Sequence, residues 1–249
     1  MTEHDQLKAA LSRIRYPQGI VSCLEALRRN KILSCPDGYC AIEGRSFFPG
    51  GKGHTGQTLP FGGIMYLGNY FDKIERYVRS VRRGHEENLT WRNIRGCVFS
   101  SLAEDRIWFT NYFMGVSESG SNIGRLKRTA GFSDYEEDCW NFFVLQVKLQ
   151  RPEVIMALGK NVVRPLGAPN RLNFPDWLID ERGTYGPLRM IARNVVLRFD
   201  GNDTKTKIVA VYHPSFGRGN AKLLEIKKDA EFVASRFKGA TRMVISDEA

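Results

Sequence analysis

Apolar residues recur along this chain at two spacings, and the alternation between them predicts most of its elements. Leu7, Ala10, Leu11 and Ile14 fall three and four residues apart, the period of one helix face, and Val21, Leu24 and Leu27 repeat that spacing ahead of Arg28 and Arg29. Residues 38–62 then hold Gly44, Gly50, Gly51, Gly53 and Gly56 together with Pro49 and Pro60. So many residues that break helices and strands leave room only for one long ordered loop, of the kind that often carries function. Beyond it, four short runs rich in branched and aromatic residues read as strands, at 64–67, 107–113, 154–158 and 207–212. Between and after them lie three helical stripes: Ile74, Tyr77, Val78 and Val81; Trp140, Phe143, Val144 and Val147; and Leu223, Ile226, Ala230 and Val233. Strands alternating with helices predict an α/β fold, a parallel sheet covered on both faces.

Composition sharpens this picture in a few places. The chain has 249 residues, 42% hydrophobic and 26% charged, enough to bury a full core, and shows neither internal repeats nor a linker. A single domain is expected, with N-terminal helices and the Gly-rich loop over 1–55, the chemistry-bearing core over 60–220 and a last helix over 220–238. No apolar run reaches the length of a membrane span and the first residues do not read as a signal peptide, so a cytoplasmic protein without a membrane partner is expected. Five cysteines spread over a long chain suit reduced thiols better than a disulfide framework, and the sequons at Asn88 and Asn202 read as chance. The formal charge of +10 points to an anionic partner without saying which.

In a parallel α/β sheet ligands bind at the carboxyl ends of the strands. The first predicted strand leads into Gly68, Asn69, Tyr70, Phe71 and Asp72; the second carries Thr110 and Asn111 and continues to Gly115; the third ends at Gly159; the fourth leads into His213, Pro214, Ser215 and Phe216. These four ordered motifs, the third of them running from Arg151 and Pro152 to Leu158 and Gly159, resemble those of the uracil-DNA glycosylase superfamily over roughly residues 60–220. The group otherwise known for an iron-sulfur cluster is the nearest in pattern, because it too places an aromatic residue and a small-residue turn between the first two motifs. Here that element is Thr90, Trp91, Arg92 and Asn93. The resemblance implies a three-layer α/β/α sandwich around a short four-stranded parallel sheet.

The cluster is not expected. In its iron-sulfur members the superfamily has a cysteine four residues after the strand-two Asn, where this chain has Gly115; Cys139 does fall where another ligand would be, and Cys35 and Cys40 have four residues between them instead of two. A four-thiolate site is not completed by these positions, and no cofactor is expected.

Excising a base needs the base flipped and held, the developing anion on the leaving base stabilised, and a water near the sugar carbon. Asn111 carries a donor and an acceptor on one amide, which matches the adjacent carbonyl and N–H of uracil; the resemblance gives it that role. Trp91 is either the platform that stacks on the flipped base or a core filler, with Phe71 as the alternative stacker. His213 resembles the superfamily histidine that hydrogen-bonds the uracil carbonyl oxygen as it gains charge, with Ser215 beside it. Phe216 or Arg218 would be the wedge that fills the vacated stack. Gly68 and Tyr70 complete the substrate side. Relatives carry a carboxylate or Asn just after the motif glycine, whereas here Asn69 and Tyr70 occupy those positions. Asn69 can hold a water through its amide oxygen, and Asp72 is either an electrostatic partner of a cationic sugar or the N-cap of the following helix.

That helix carries Lys73, Arg76, Arg79, Arg82 and Arg83, a basic stripe suited to phosphate contacts beside the motifs. The Gly50–Gly56 stretch is no P-loop, since Lys52 is followed by Gly53 and the segment precedes a strand. The expectation is a monomeric glycosylase acting on uracil in single- or double-stranded DNA, with a non-catalytic reader of damaged or abasic DNA as the competing reading, favoured by Asn69 and Tyr70 in place of the carboxylate.

Overall fold

The computed structural model describes residues 2–32, 60–83, 89–102, 106–118, 129–174, 192–199, 202–216 and 220–236. The Gly-rich loop before residue 60, Asn88, Cys35, Cys40 and Arg218 lie outside these, as do the side chains of Asp72 and Phe216. In chain order the elements are α1 (Glu3–Ser12), β1 (Ile20–Val21), α2 (Cys23–Arg29), β2 (Ile64–Lys73), α3 (Ile74–Arg83) and α4 (Leu89–Asn93), the last continued by a π-helical turn (Ile94–Val98). Then come β3 (Ile107–Ser117), α5 (Phe132–Gln150), β4 (Val154–Leu158), α6 (Lys160–Gly167), β5 (Ala192–Phe199), β6 (Asn202–Val211), a 3-10 turn (Pro214–Phe216) and α7 (Asn220–Arg236).

The strands form one sheet in the order β1-β3-β2-β4-β6-β5. The inner four are parallel, and the edge strands β1 and β5 pair antiparallel with β3 and β6. The fold is therefore mixed α/β with a mostly parallel sheet, but the expected count of four strands is corrected to six. The two edge strands escape a reading by apolar runs because β1 has only two residues and the apolar run of β5 is just Val195 to Leu197, between Arg193–Asn194 and Arg198. The alternation of strand side chains splits the core in two. One face packs Met65, Leu67, Trp108, Tyr112, Ile155, Ala157 and Ile208 against α1, α2, α3, α5 and α6. The other packs Ile64, Tyr66, Phe109, Met156, Val209 and Val211 against α4, its π-helical turn and α7. Full burial of each such side chain is worth roughly 1.5–3 kcal/mol, which is what holds the central strands, buried on both faces, in place.

Local chemistry sets the ends of the helices. Thr2 and Asp5 form a capping box at α1, and the Ser22 hydroxyl accepts the Glu25 N–H at α2. The long α5 starts after Gly131 and stops at Arg151, both left-handed, ahead of Pro152. Two sequence expectations need correction. Val21 belongs to β1 and Leu24 is exposed, so α2 buries Cys23, Ala26 and Leu27 instead, because Ser22 restarts the helix after the strand. Residues 68–72, expected as a loop, continue β2, because β3 runs alongside and supplies ladder partners as far as Ser117. Among the described residues no helix is long and apolar enough to cross a membrane.

Candidate functional site at the carboxyl edge of the sheet

Register brings the motifs to one level. Leu67 lies opposite Thr110 on one side and Ala157 on the other, and Ala157 lies opposite Ala210. One residue further, Gly68 faces Asn111 and Leu158 faces Val211; there β4 and β6 end, while β2 and β3 run on together as a two-stranded ribbon. Gly159 closes the gap by donating its N–H to the Val211 carbonyl at 2.9 Å, and its positive φ of 76° turns the chain into α6. Tyr212 and His213 leave β6 just beyond this level, with β4 between β6 and the β2–β3 ribbon.

Asn111 is half-buried and shares a face with Phe109, two residues earlier. Its amide lies directly over Gly68: a Cβ built there would collide with Asn111 Oδ1. Gly68 has no left-handed φ, so the glycine is required by that close approach and not by a turn. Among the described residues the Asn111 amide has no hydrogen-bond partner, although a half-buried amide normally finds one. Trp91 on α4 covers the same face, 7% exposed, with its ring 4.5 Å from that of Phe109 at 62°. It is thus part of the wall next to Asn111, and most of its surface is already taken by the second core.

His213 is held through its Nδ1. The Ser215 backbone N–H donates to it at 3.1 Å and the Ser215 hydroxyl stands 2.7 Å away. A backbone N–H can only donate, so Nδ1 is an acceptor, the ring is neutral, and the proton sits on Nε2, available to an outside acceptor. Burial lowers the imidazole pKa from 6.5 to about 4, which keeps it neutral through the physiological range. The turn that carries it is fixed at both ends. Tyr212 N–H donates to Asp229 Oδ2 on α7 at 2.9 Å, and Asn93 Nδ2 on α4 donates to the Pro214 carbonyl at 2.6 Å.

Not every expected residue joins this group. Asn69 points to the opposite face with Leu67, and its Oδ1 is buried without a hydrogen-bond partner among the described residues. An orphaned acceptor of this kind suits a water, but one on the far side of β2 from Asn111. Phe71 falls on that far face too, edge-on to Tyr77 at 5.9 Å, and is not an alternative stacker beside Asn111. Tyr70 is half-buried against the same core. Asp72 lies within β2, and because α3 begins at Ile74 it is Lys73 that precedes the helix, so the capping reading of Asp72 is not met. On α3, Tyr77, Val78 and Val81 are buried while Arg76, Arg79, Arg82 and Arg83 are exposed. Lys73 pairs with Glu75 at 3.1 Å. The basic stripe is therefore a solvent face beginning where the ribbon ends.

The thiolate positions do not fit a cluster. The Cys139 Sγ is fully buried and accepts the Met114 N–H at 3.4 Å, and burial pushes its thiol up to about 12. Gly115 has no room for a ligating side chain: a Cβ there would meet Tyr16 at 2.8 Å, the Val21 carbonyl at 2.8 Å and Ile20 at 2.9 Å. The N-terminal strand fills that place, tied down by Arg15, whose guanidinium and backbone N–H both reach Asp138 at 2.9 Å.

Two residues of the site carried no role in the sequence. Asn93 was visible only as the end of the Trp91 element. Asp229 sits on the apolar stripe of α7 between Ile226 and Ala230, and a carboxylate on a buried face was the signal that could have found it. No protein-family model matches the chain, and no curated protein is similar to it.

Proposed function

We propose that this protein is a DNA repair glycosylase that hydrolyses the N-glycosidic bond of uracil in DNA and leaves an abasic site. The observation that carries this reading is that one edge of a parallel sheet carries both an Asn111 amide without a hydrogen-bond partner among the described residues, on β3, and, after β6, a neutral His213 whose Nε2–H is free to donate. Asn111 offers a donor and an acceptor to the N–H and carbonyl edge of a flipped uracil, and cytosine, with an amino group at that edge, is rejected. The Nε2–H of His213 stabilises the carbonyl oxygen that becomes anionic as the bond breaks, an effect worth roughly 10²–10³ in rate when a comparable donor is removed. Trp91 walls the base on the Asn111 face, and Gly68 admits the amide. With Asn69 on the other face, the base leaves as a stabilised anion, Asp72 acts on the cationic sugar by its charge, and a solvent water then adds to the sugar carbon, its proton passing to solvent while the released base takes one up. Lys73, Arg76 and their neighbours on α3 supply exposed positive charge for a DNA backbone, and Phe216 and Arg218, which follow His213 in sequence, are the wedge candidates. The four motif-bearing strands, parallel and adjacent, support the glycosylase-like architecture.

The test is release of uracil from single- and double-stranded oligonucleotides, read as alkali-dependent strand scission. Wild type should cleave, and Asn111→Ala and His213→Ala should each lose at least about 100-fold while keeping the circular dichroism of the wild type. No scission with uracil, hypoxanthine or xanthine substrates would sink the enzyme reading. A mobility shift on abasic DNA without base release would instead support the non-catalytic reader of damage, which the location of Asn69 favours.

A further inference from the structure

We propose that Asn93 and Asp229 are positioning residues that clamp the His213 turn from two different helices and so hold its imidazole in the Nε2–H tautomer, facing the substrate. The inference rests on the glycosylase reading above for its purpose, and on the hydrogen bonds for its geometry. His213 follows a strand end and precedes a proline, and one backbone group of each flanking residue is gripped by a buried side chain. Asp229 Oδ2 accepts the Tyr212 N–H at 2.9 Å and Asn93 Nδ2 donates to the Pro214 carbonyl at 2.6 Å. Both side chains are buried, Asp229 at 2% and Asn93 at 7% exposure, so each bond acts where water does not compete for it.

With the turn fixed between these points, the Ser215 N–H is aimed at His213 Nδ1. That donor excludes a proton from Nδ1 and leaves the one ring proton on Nε2. Two residues on from Trp91 along α4, Asn93 also makes the aromatic wall and the His213 turn parts of one element. Among the described residues the ionisable groups at this corner include Asp229 on α7, Tyr66 on β2, Tyr212 beside His213, and Cys97 on the π-helical turn with Lys227 of α7 near it, and Tyr66 is raised by burial and by Asp229. Burial alone accounts for the lowered His213. Loosening the turn therefore has a readable consequence: the ring gains water, Nδ1 loses its donor, and protonation becomes easier.

The experiment follows His213 by NMR titration of the full chain without DNA, its signal picked out of the four histidines by comparison with His213→Gln. Asn93→Asp, which puts an acceptor against the Pro214 carbonyl, and Asp229→Ala should each raise the His213 midpoint by at least about one unit toward the ordinary value near 6.5. Asp229→Asn, which keeps an acceptor for Tyr212 N–H, should stay near wild type. In uracil excision the two disruptive variants should lose kcat at least tenfold with KM changed less than about threefold. An unchanged midpoint in both folded disruptive variants overturns the proposal. So does loss of folding in both Asn93→Ala and Asp229→Asn, which would make the pair purely structural. Because the titration needs no substrate, shifted midpoints in a protein that never releases uracil would overturn the glycosylase reading and leave the clamp standing.

Discussion

The two faces of the sheet are both buried under helices, yet they use their polar groups differently. On the face under α5 three buried polar side chains bond one another in a chain that ends on backbone, although Asn69 Oδ1 on that face is buried without a partner among the described residues. Thr110 Oγ1 donates to Gln146 Oε1 at 3.0 Å, Gln146 Nε2 to Gln150 Oε1 at 3.4 Å, and Gln150 Nε2 to the Pro60 carbonyl at 3.3 Å. Tyr135 donates to the Met114 carbonyl at 2.8 Å on the same side. On the face under α4 and α7, Asn93 and Asp229 grip backbone instead, and the His213 they steady keeps its Nε2–H open, as Asn111, further along the same edge of the sheet, keeps its amide. A network whose side chains bond one another stabilises; one that grips backbone and leaves side-chain atoms open presents chemistry. Thr110 and Asn111, adjacent in β3, fall on opposite sides of this division because strand side chains alternate.

The comparison is broken most severely by Gly68→Ala. The new methyl displaces the Asn111 amide, and uracil excision should fall by about 100-fold or more, with a smaller loss of thermal stability; activity close to wild type would show that the Asn111 position is not set by Gly68. The matching change on the other face is Gln146→Leu. It orphans Thr110 and Gln150 in the core and should cost roughly 2–4 kcal/mol in chemical denaturation while leaving kcat per folded molecule unchanged. A fall in kcat there would mean that this hydrogen-bonded chain also serves the site.

The smallest effect is in the pH dependence of stability. His213 binds its proton near 4 in the folded protein and near 6.5 when unfolded, so the unfolded state holds more protons between those values and stability falls as pH drops through them. Its contribution is intact above about pH 6.5, and between about pH 7 and pH 5 the loss should be about 2 kcal/mol. In His213→Gln that part of the slope should vanish, which urea melts at the two pH values would measure.

Much of this was legible in the residues. The stripe of Ile226, Ala230 and Val233, the apolar run of β4 and the order of the motif-bearing strands need only periodicity and propensity, which are local. The exposed basic face of α3 was readable for the same reason. Asn69 and Phe71 were expected in a loop, where side chains turn either way, whereas β2 runs on beside β3: alternation puts Asn69 on the Leu67 face, and a register shift between Tyr70 and Phe71 leaves both of these against the same core. Asp72 fails as a cap for that reason too, since the strand reaches Lys73 before the helix starts.

The sequence by itself determined the four inner strands and most of the helices of an α/β fold, and that Asn111 lies on a strand and His213 just after one, because hydrophobic period and turn residues are written into short windows. The tertiary structure alone decided that Asn93 and Asp229, separated by more than half the chain, meet on either side of His213. It alone decided that β1 occupies the space beside Gly115 and that Gly68 lies beneath the Asn111 amide. These depend on strand order, register and the facing of helices, which are fixed only when the whole core closes, and no local window holds them.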